Sequence, residues 1–351
     1  MPATPLRDDV KESSPDTPPS GPAPLGDIRT SWLPRLTAAA RRGAFGLADS
    51  EASFARRGFR GAGGATQAHL ENIGRTFILG YNTALETPRA DGLVPRLQDI
   101  DLGMRGFAFE GAAMALALLD TLTPWGASRV SAFLEGGAQA HVYMVNVGAG
   151  WAWARLRRNV RRARAAMDPL LGWLGVDGYG FHQGYFHPQQ YIERRARPGL
   201  GGYADRAFDQ GLGRSLWFVE GAHVERVVSR IWSFPTSRRA DLWAGVGLAC
   251  TYAGGVEREA LGVLRDAADD HLPALRQGVV FAARARERAG NPVPHVAWAC
   301  EVLCGRGLSE TASIAETALA SCGPEDSEDA PRFERWRQDI QRAVTSTARS
   351  A

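Results

Sequence analysis

Lysine is almost missing from this chain of 351 residues: of its 41 basic residues only Lys11 is a lysine, and the others are arginines. That bias, beside the alanine and glycine load, reads as a GC-rich coding sequence. Net charge is near balance at +3, so composition gives no electrostatic reason to expect a nucleic-acid partner. Cysteine is scarce too. Cys250, Cys300, Cys304 and Cys322 are too few for a disulfide scaffold. Cys300 and Cys304 share a helix face but lack the second pair and tighter spacing that zinc asks for, so no metal site is assigned. Long apolar runs are absent as well. The stretches 107–119 and 142–154 fall short of the roughly 18 residues needed to span a bilayer and read as buried helices. Residues 1–30 hold no apolar core of a signal peptide, so the expected location is cytoplasmic. Period-two alternation and βαβ order are missing, which excludes a nucleotide-binding sheet. The chain carries no G-x-S-x-G, P-loop, H-E-x-x-H or dinucleotide fingerprint.

What is present is helical spacing. Apolar residues recur at threes and fours over 65–85, 107–122, 129–166, 203–220, 224–232, 241–252, 256–288 and 293–304. Breaks fall at Pro88, Pro95, Pro124, Pro188, Pro198, Pro235 and Pro292. The expected fold is all-α. Residues 1–30, rich in Pro, Ser and Asp, read as a disordered leader, 31–322 as the helical domain, and 323–351 as an acidic linker followed by one helix. That last helix carries Phe333, Trp336, Ile340 and Ala343 on one side. Two halves, about 54–182 and 203–307, echo one another in order. GRTFILGYNTAL at 74–85 lies over GRSLWFVEGAHV at 213–224, and 101–113 over 241–255. HVYMVNVGAGWAWARL at 141–156 lies over HLPALRQGVVFAARAR at 271–286, with Gly148 over Gly278, and 169–180 lies over 294–305. The pattern implies two related units across a pseudo-two-fold, whose interface would favour a pocket.

Chemistry concentrates in DGYGFHQGYFH at 177–187. Asp177, His182 and His187 stand there among four aromatics and three glycines, which permit close backbone approach beside apolar walls. Imidazole serves as acid, base or ligand near neutral pH, although the spacing matches no known ligand code. Downstream, Asp205, Asp209, Gln210, Arg214, Glu220 and His223 recur every three or four residues. An ion-pair ladder is the ordinary reading of that pattern. Glu220 and His223 form one Glu-x-x-His pair, half of what a di-iron bundle needs. Asp266, Asp269, Asp270 and His271 hint at a magnesium-diphosphate motif, but Pro273 follows and no second motif accompanies them. The dense run Arg155, Arg157, Arg158, Arg161, Arg162 and Arg164 is either a solvated helix end or a dock for an anionic partner.

The strings DGYGFHQGYFH, GYADRAFDQGLGRSLWF and FPTSRRADLWAGVGLACTYAGG resemble the UnbL-type family, from about Gly74 through Gly305. Proteins of that family are encoded beside the iterative polyketide synthases of enediyne antibiotic clusters and have no assigned reaction. The resemblance implies an accessory role in polyketide biosynthesis, acting on or shielding a polyene intermediate. On the residues, an apolar groove would be walled by Tyr179, Phe181, Tyr185, Phe186, Trp217 and Phe218. His182, His187 and Asp177 would move protons, and Asp209 or Arg214 would orient the reacting end. The rival expectation is a non-catalytic assembly protein that docks the synthase's carrier domain through Arg157, Arg158, Arg161 and Arg162. A third is isoprenoid-type cyclisation in a helical pocket. Cofactors are left open.

Overall fold

The structure is a computed structural model, and it describes residues 28–346 apart from Ala62, Ala127, Glu328 and Asp329. The leader assigned to 1–30 lies outside the described residues as far as residue 27, and from Ile28 the chain is helical. The described residues form helices and connections with no strand, as the spacing requires. None of the described helices is long and apolar enough to cross a membrane.

Among the described residues ten α-helices run fourteen residues or more: α1 (Ile28–Phe45), α2 (Gly64–Glu86), α3 (Arg105–Leu122), α4 (Val142–Arg155), α5 (Gly172–Phe186), α6 (Tyr203–Val219), α7 (Thr236–Ala253), α8 (Leu272–Arg288), α9 (Leu308–Ser321) and α10 (Arg332–Ser346). Short helices fill the connections, for instance Ala90–Gln98, Val160–Ala165, Val224–Trp232 and Arg258–Ala268. Asn159 caps the second of these by accepting a hydrogen bond from the Arg162 amide. The sequence makes α3 central, because it is apolar on nearly every face; α6 is also buried along most of its length, but with Asp209, Gln210 and Arg214 among its buried residues.

From α2 to α8 each long helix packs along the next in chain order. Glycine sets the spacing. Four helices carry a Gly-x-Gly pair: Gly148 and Gly150, Gly178 and Gly180, Gly211 and Gly213, Gly245 and Gly247. In each pair the first glycine abuts a carbonyl of the preceding helix and the second a carbonyl of the following one. Thus Gly211 lies against the Asp177 carbonyl of α5 and Gly213 against the Leu242 carbonyl of α7, and an added methyl would sit under 3.0 Å from either. Gly80, Gly111 and Gly278 complete the seams at the two ends of the series. The first glycine recurs after 30 residues from Gly148 to Gly178, then 33 to Gly211, 34 to Gly245 and 33 to Gly278.

Cross-helix contacts fix the direction of several neighbours. Gly180 meets Phe208 and Gly184 meets Leu212 and Ser215, so α5 and α6 run parallel. Arg206 binds Asp241 at 3.0 Å and the Trp217 indole donates to the Gly254 carbonyl at 2.8 Å, so α6 and α7 do too. Gly278 abuts Ala244 while Arg286 donates to the Tyr252 carbonyl at 2.5 Å, which makes α7 and α8 parallel. Parallel neighbours need a return path, and the short helices supply it. The series curls round: His69 near the start of α2 hydrogen-bonds the Ala253 carbonyl at 2.7 Å, and Phe107 at the start of α3 packs edge-on against Tyr252 at 5.2 Å. The result is a closed ring of helices around a lumen.

The pair of halves packed across a pseudo-two-fold is not confirmed; the unit that recurs is a single helix with its glycine seam. Gly148 and Gly278, aligned in sequence, do play the same part, four units apart. The C-terminal helix is not an appendage. Phe333, Trp336 and Ile340 of α10 are buried against α8 and α9. Arg337 ties α10 to Asp241 at 2.9 Å, to Gln277 at 2.9 Å and to the Tyr203 hydroxyl at 3.2 Å.

Candidate functional site

The lumen holds a cavity of about 400 Å³, large enough for a mid-sized ligand. Six helices, α2 to α7, contribute to its wall. Most of that wall is apolar: Phe77, Trp151, Phe181, Tyr185 and Phe218 stand in it, joined by edge-on and tilted ring contacts. Trp151 lies 4.6 Å from Phe77 and 4.9 Å from Phe181, and Phe181 lies 5.4 Å from Phe218. Aromatic rings lining an apolar space can present the negative quadrupole of their faces to whatever fills it.

Two ionisable groups, Glu110 and Arg214, sit on the inner wall of this apolar space, and a third, Asp177, stands behind them. Asp177 of α5 binds the Arg214 guanidinium of α6 at 2.5 Å, and Gln210 donates to its other oxygen at 2.8 Å. Arg214 also lies 3.9 Å from Glu110 of α3 and 4.8 Å from the centre of the Phe181 ring. Glu110 is 1% exposed, and one of its oxygens has no hydrogen-bond partner. Burial pushes its carboxyl up to about 7; Arg214 pulls down and Asp177 pushes up, and burial prevails. A carboxyl that titrates near neutrality can both give and take a proton. Asp177 does not itself reach the cavity wall; it serves Arg214 from behind. Beyond Arg214, Tyr252 and Leu248 a smaller void of about 30 Å³ continues towards Phe281 and Trp336.

His182 faces the cavity from α5, 4.6 Å from the Phe186 ring. Burial, with His187 nearby, lowers its pKa to about 3, so the imidazole is neutral at physiological pH. Its Nδ1 is buried without a partner. His187 stands at the exposed mouth, its ring 6.3 Å from that of His182. The mouth also holds Arg57, Arg155 and Arg157, and the single carboxylate Glu51, which is already paired with Arg57.

Of the residues singled out from sequence, the cavity gathers His182, His187, Arg214, Phe181, Tyr185, Phe186 and Phe218, with Asp177 behind Arg214. Three lie elsewhere. Asp209 is buried in an ion cluster with Arg197 and Arg238, so its oxygens are spent on holding α6 to α7. Trp217 is sealed in the core with its indole N–H on the Gly254 carbonyl. Tyr179 packs against Phe208 on the outer side of α5. Arg157, Arg158, Arg161 and Arg162 are all exposed, and Arg157 alone of them lines the mouth. Glu220 pairs with Arg230 at 2.9 Å, while His223 is solvent-accessible and pairs with Glu225 at 3.0 Å, so the two do not form a ligand pair. Among the described residues no group of three or more His, Cys, Asp or Glu side chains is placed to hold a metal ion.

Glu110 and Tyr252 are the residues that sequence reasoning passed over. Glu110 did leave a signal, as the lone carboxylate in the apolar string FAFEGAAMALALL. Tyr252, whose buried hydroxyl makes no conventional hydrogen bond, left none.

The molecule is therefore an all-α ring with an aromatic lumen and a buried acid. It belongs to the family described as proteins of unknown function, DUF1702, whose model matches residues 36–344 and so includes α10. No curated protein and no solved structure matches the chain.

Proposed function

We propose that the lumen binds a linear, unsaturated, largely apolar molecule of the polyene class and moves a proton to or from it, with Glu110 as the acid-base group. The observation that carries this reading is the Glu110 carboxyl, poised near neutrality inside an aromatic cavity. Protonating or deprotonating a conjugated chain builds charge on carbon, and the π faces of Trp151, Phe181 and Phe218 would stabilise positive charge there. Arg214, anchored by Asp177, faces the carboxyl at 3.9 Å, and the unpartnered Nδ1 of His182 is free for the ligand. Isomerisation and cyclisation are both outcomes of such a step, so the isoprenoid-type reading shares its chemistry. The likeness to UnbL-type proteins favours a polyketide polyene, which makes the chain an accessory protein of enediyne-type biosynthesis.

The test uses Trp151 as a reporter. Titration with parinaric acid, a fluorescent linear polyene, should quench tryptophan emission by energy transfer, and Trp151→Phe should lower the amplitude of that response by the share of Trp151 among the ten tryptophans. Glu110→Gln should keep the binding and lose deuterium uptake from D2O into linear polyenes. A wild-type protein that neither binds parinaric acid nor exchanges deuterium would end the proposal.

A second reading, carrier-domain docking, is favoured by one observation: Arg157, Arg158, Arg161 and Arg162 are all solvent-facing, and Arg157 lines the mouth. Converting all four to Gln should weaken association with an acidic carrier protein at low salt.

A further inference from the structure

Charge around the cavity is arranged by depth. In the inner wall, Arg214 faces two carboxylates, Asp177 at 2.5 Å and Glu110 at 3.9 Å. The mouth is different. Arg155, at the end of α4, spends its donors on neutral oxygens, the Tyr81 hydroxyl at 3.0 Å and the Phe45 carbonyl at 3.2 Å. Arg157, two residues on, is turned by a left-handed backbone (φ 51°), its amide bonds the Ala154 carbonyl at 3.2 Å, and its side chain has no ion pair or hydrogen bond among the described residues. Glu51, the carboxylate at this rim, is shared between Arg56 and Arg57. His187 adds ring N–H capacity beside Arg157, and just inside it the buried Nδ1 of His182 has no partner. The rim thus carries Arg57, Arg155 and Arg157 against one carboxylate, over an apolar interior.

We infer that the molecule bound in the lumen is amphipathic, with an anionic head group held at the mouth by Arg155, Arg157 and His187 and its apolar chain directed inward to Glu110. This rests on the reading of the lumen as a binding site for a linear apolar molecule and specifies which end stays out. The head chemistry is a carboxylate or a phosphate. Arginine suits either, because its planar fork meets two oxygens at once. A carboxylate would belong to a free polyene acid, and a phosphate to the pantetheine arm of a carrier-bound chain. The device also sets register: a head fixed at the rim brings one segment of the chain opposite Glu110, so which carbon receives the proton follows from chain length.

The experiment compares three probes of equal chain length on the full protein: parinaric acid, the corresponding alcohol, and the corresponding acyl phosphopantetheine. Binding is read by tryptophan quenching at two salt concentrations. The expected result is that an anionic probe binds about tenfold tighter than the alcohol at low salt, with the advantage shrinking as salt rises. Arg157→Gln with His187→Gln, both at exposed positions and so compatible with folding, should erase that advantage and leave the alcohol's affinity unchanged. Preference for the acid identifies the free carboxylate source, and preference for the phosphopantetheine probe identifies the carrier-linked one. Equal affinity of all three, or an advantage that survives the double substitution, overturns the head-group inference alone. Failure of every probe to bind overturns the lumen reading with it.

Discussion

His141 and His182 are buried and His295 is half-buried, and burial lowers their pKa values to about 4, 3 and 4 respectively. A depressed histidine contributes stability that is present above its unfolded pKa near 6.5 and is lost as pH falls towards the folded value. Glu110 acts the other way. Its folded pKa of about 7 exceeds the unfolded value of 4.5, so its contribution is complete below 4.5 and lost as pH rises through 7. Stability measured by urea denaturation should therefore fall on acidification from pH 6.5 to 4. His141→Phe, which keeps the stack on Phe109 at 4.1 Å, should flatten that fall. Glu110→Gln should gain on the wild type between pH 4.5 and 7. An unchanged pH slope in both variants would mean the groups are solvated. The histidine of the 177–187 string was legible as chemistry, whereas its neutrality was not, since desolvation depends on five other helices that close over it.

At the scale of the helix, close approach is the governing fact. Gly211→Ala would drive a methyl into the Asp177 carbonyl, prise α5 from α6 and misplace the Arg214 partner, at a cost of about 3 kcal/mol. Gly262, in the short helix Arg258–Ala268, has open space where its methyl would go, and Gly262→Ala should stabilise by about 0.5–1 kcal/mol. Chemical denaturation of the pair checks both signs, and equal effects would sink the seam argument. Helix positions were legible because apolar threes and fours survive in a single sequence. The seams were not, because a glycine that admits a neighbouring backbone and a glycine that merely loosens a helix look alike in sequence. Only their recurrence about every 33 residues separates them, and the wobble from 30 to 34 blurs that period.

At the scale of the whole molecule, α10 closes the array. Arg337 is fully buried and compensates Asp241 and Glu334. Arg337→Ala would leave these two buried carboxylates with Arg206 as their remaining cation and cost roughly 3 kcal/mol, and a loss under 1 kcal/mol in thermal or urea unfolding would show α10 to be dispensable. The sequence reading set this helix apart because GPEDSEDAP precedes it and looks like a linker. That stretch is indeed polar, but the helix beyond it spends its aromatic side on α8 and α9. The lumen itself was illegible. It is made where six helices meet, and each gives it only a few residues, spaced at threes and fours.

Parallel packing has a final electrical consequence. Peptide dipoles that cancel between antiparallel helices add between parallel ones, so α5, α6 and α7 direct their carbonyl ends, each equivalent to about half a negative charge, towards the side where Phe186, Phe218 and Ala253 meet the cavity. Arginines answer this at many helix ends: Arg286 on the Tyr252 carbonyl, Arg226 on the Glu220 carbonyl and Arg41 on the Leu85 carbonyl. A lysine, with a point charge and no planar fork, would serve two such oxygens less well. The near-absence of lysine thus matches an architecture in which forked cations bind the carbonyls that end several helices.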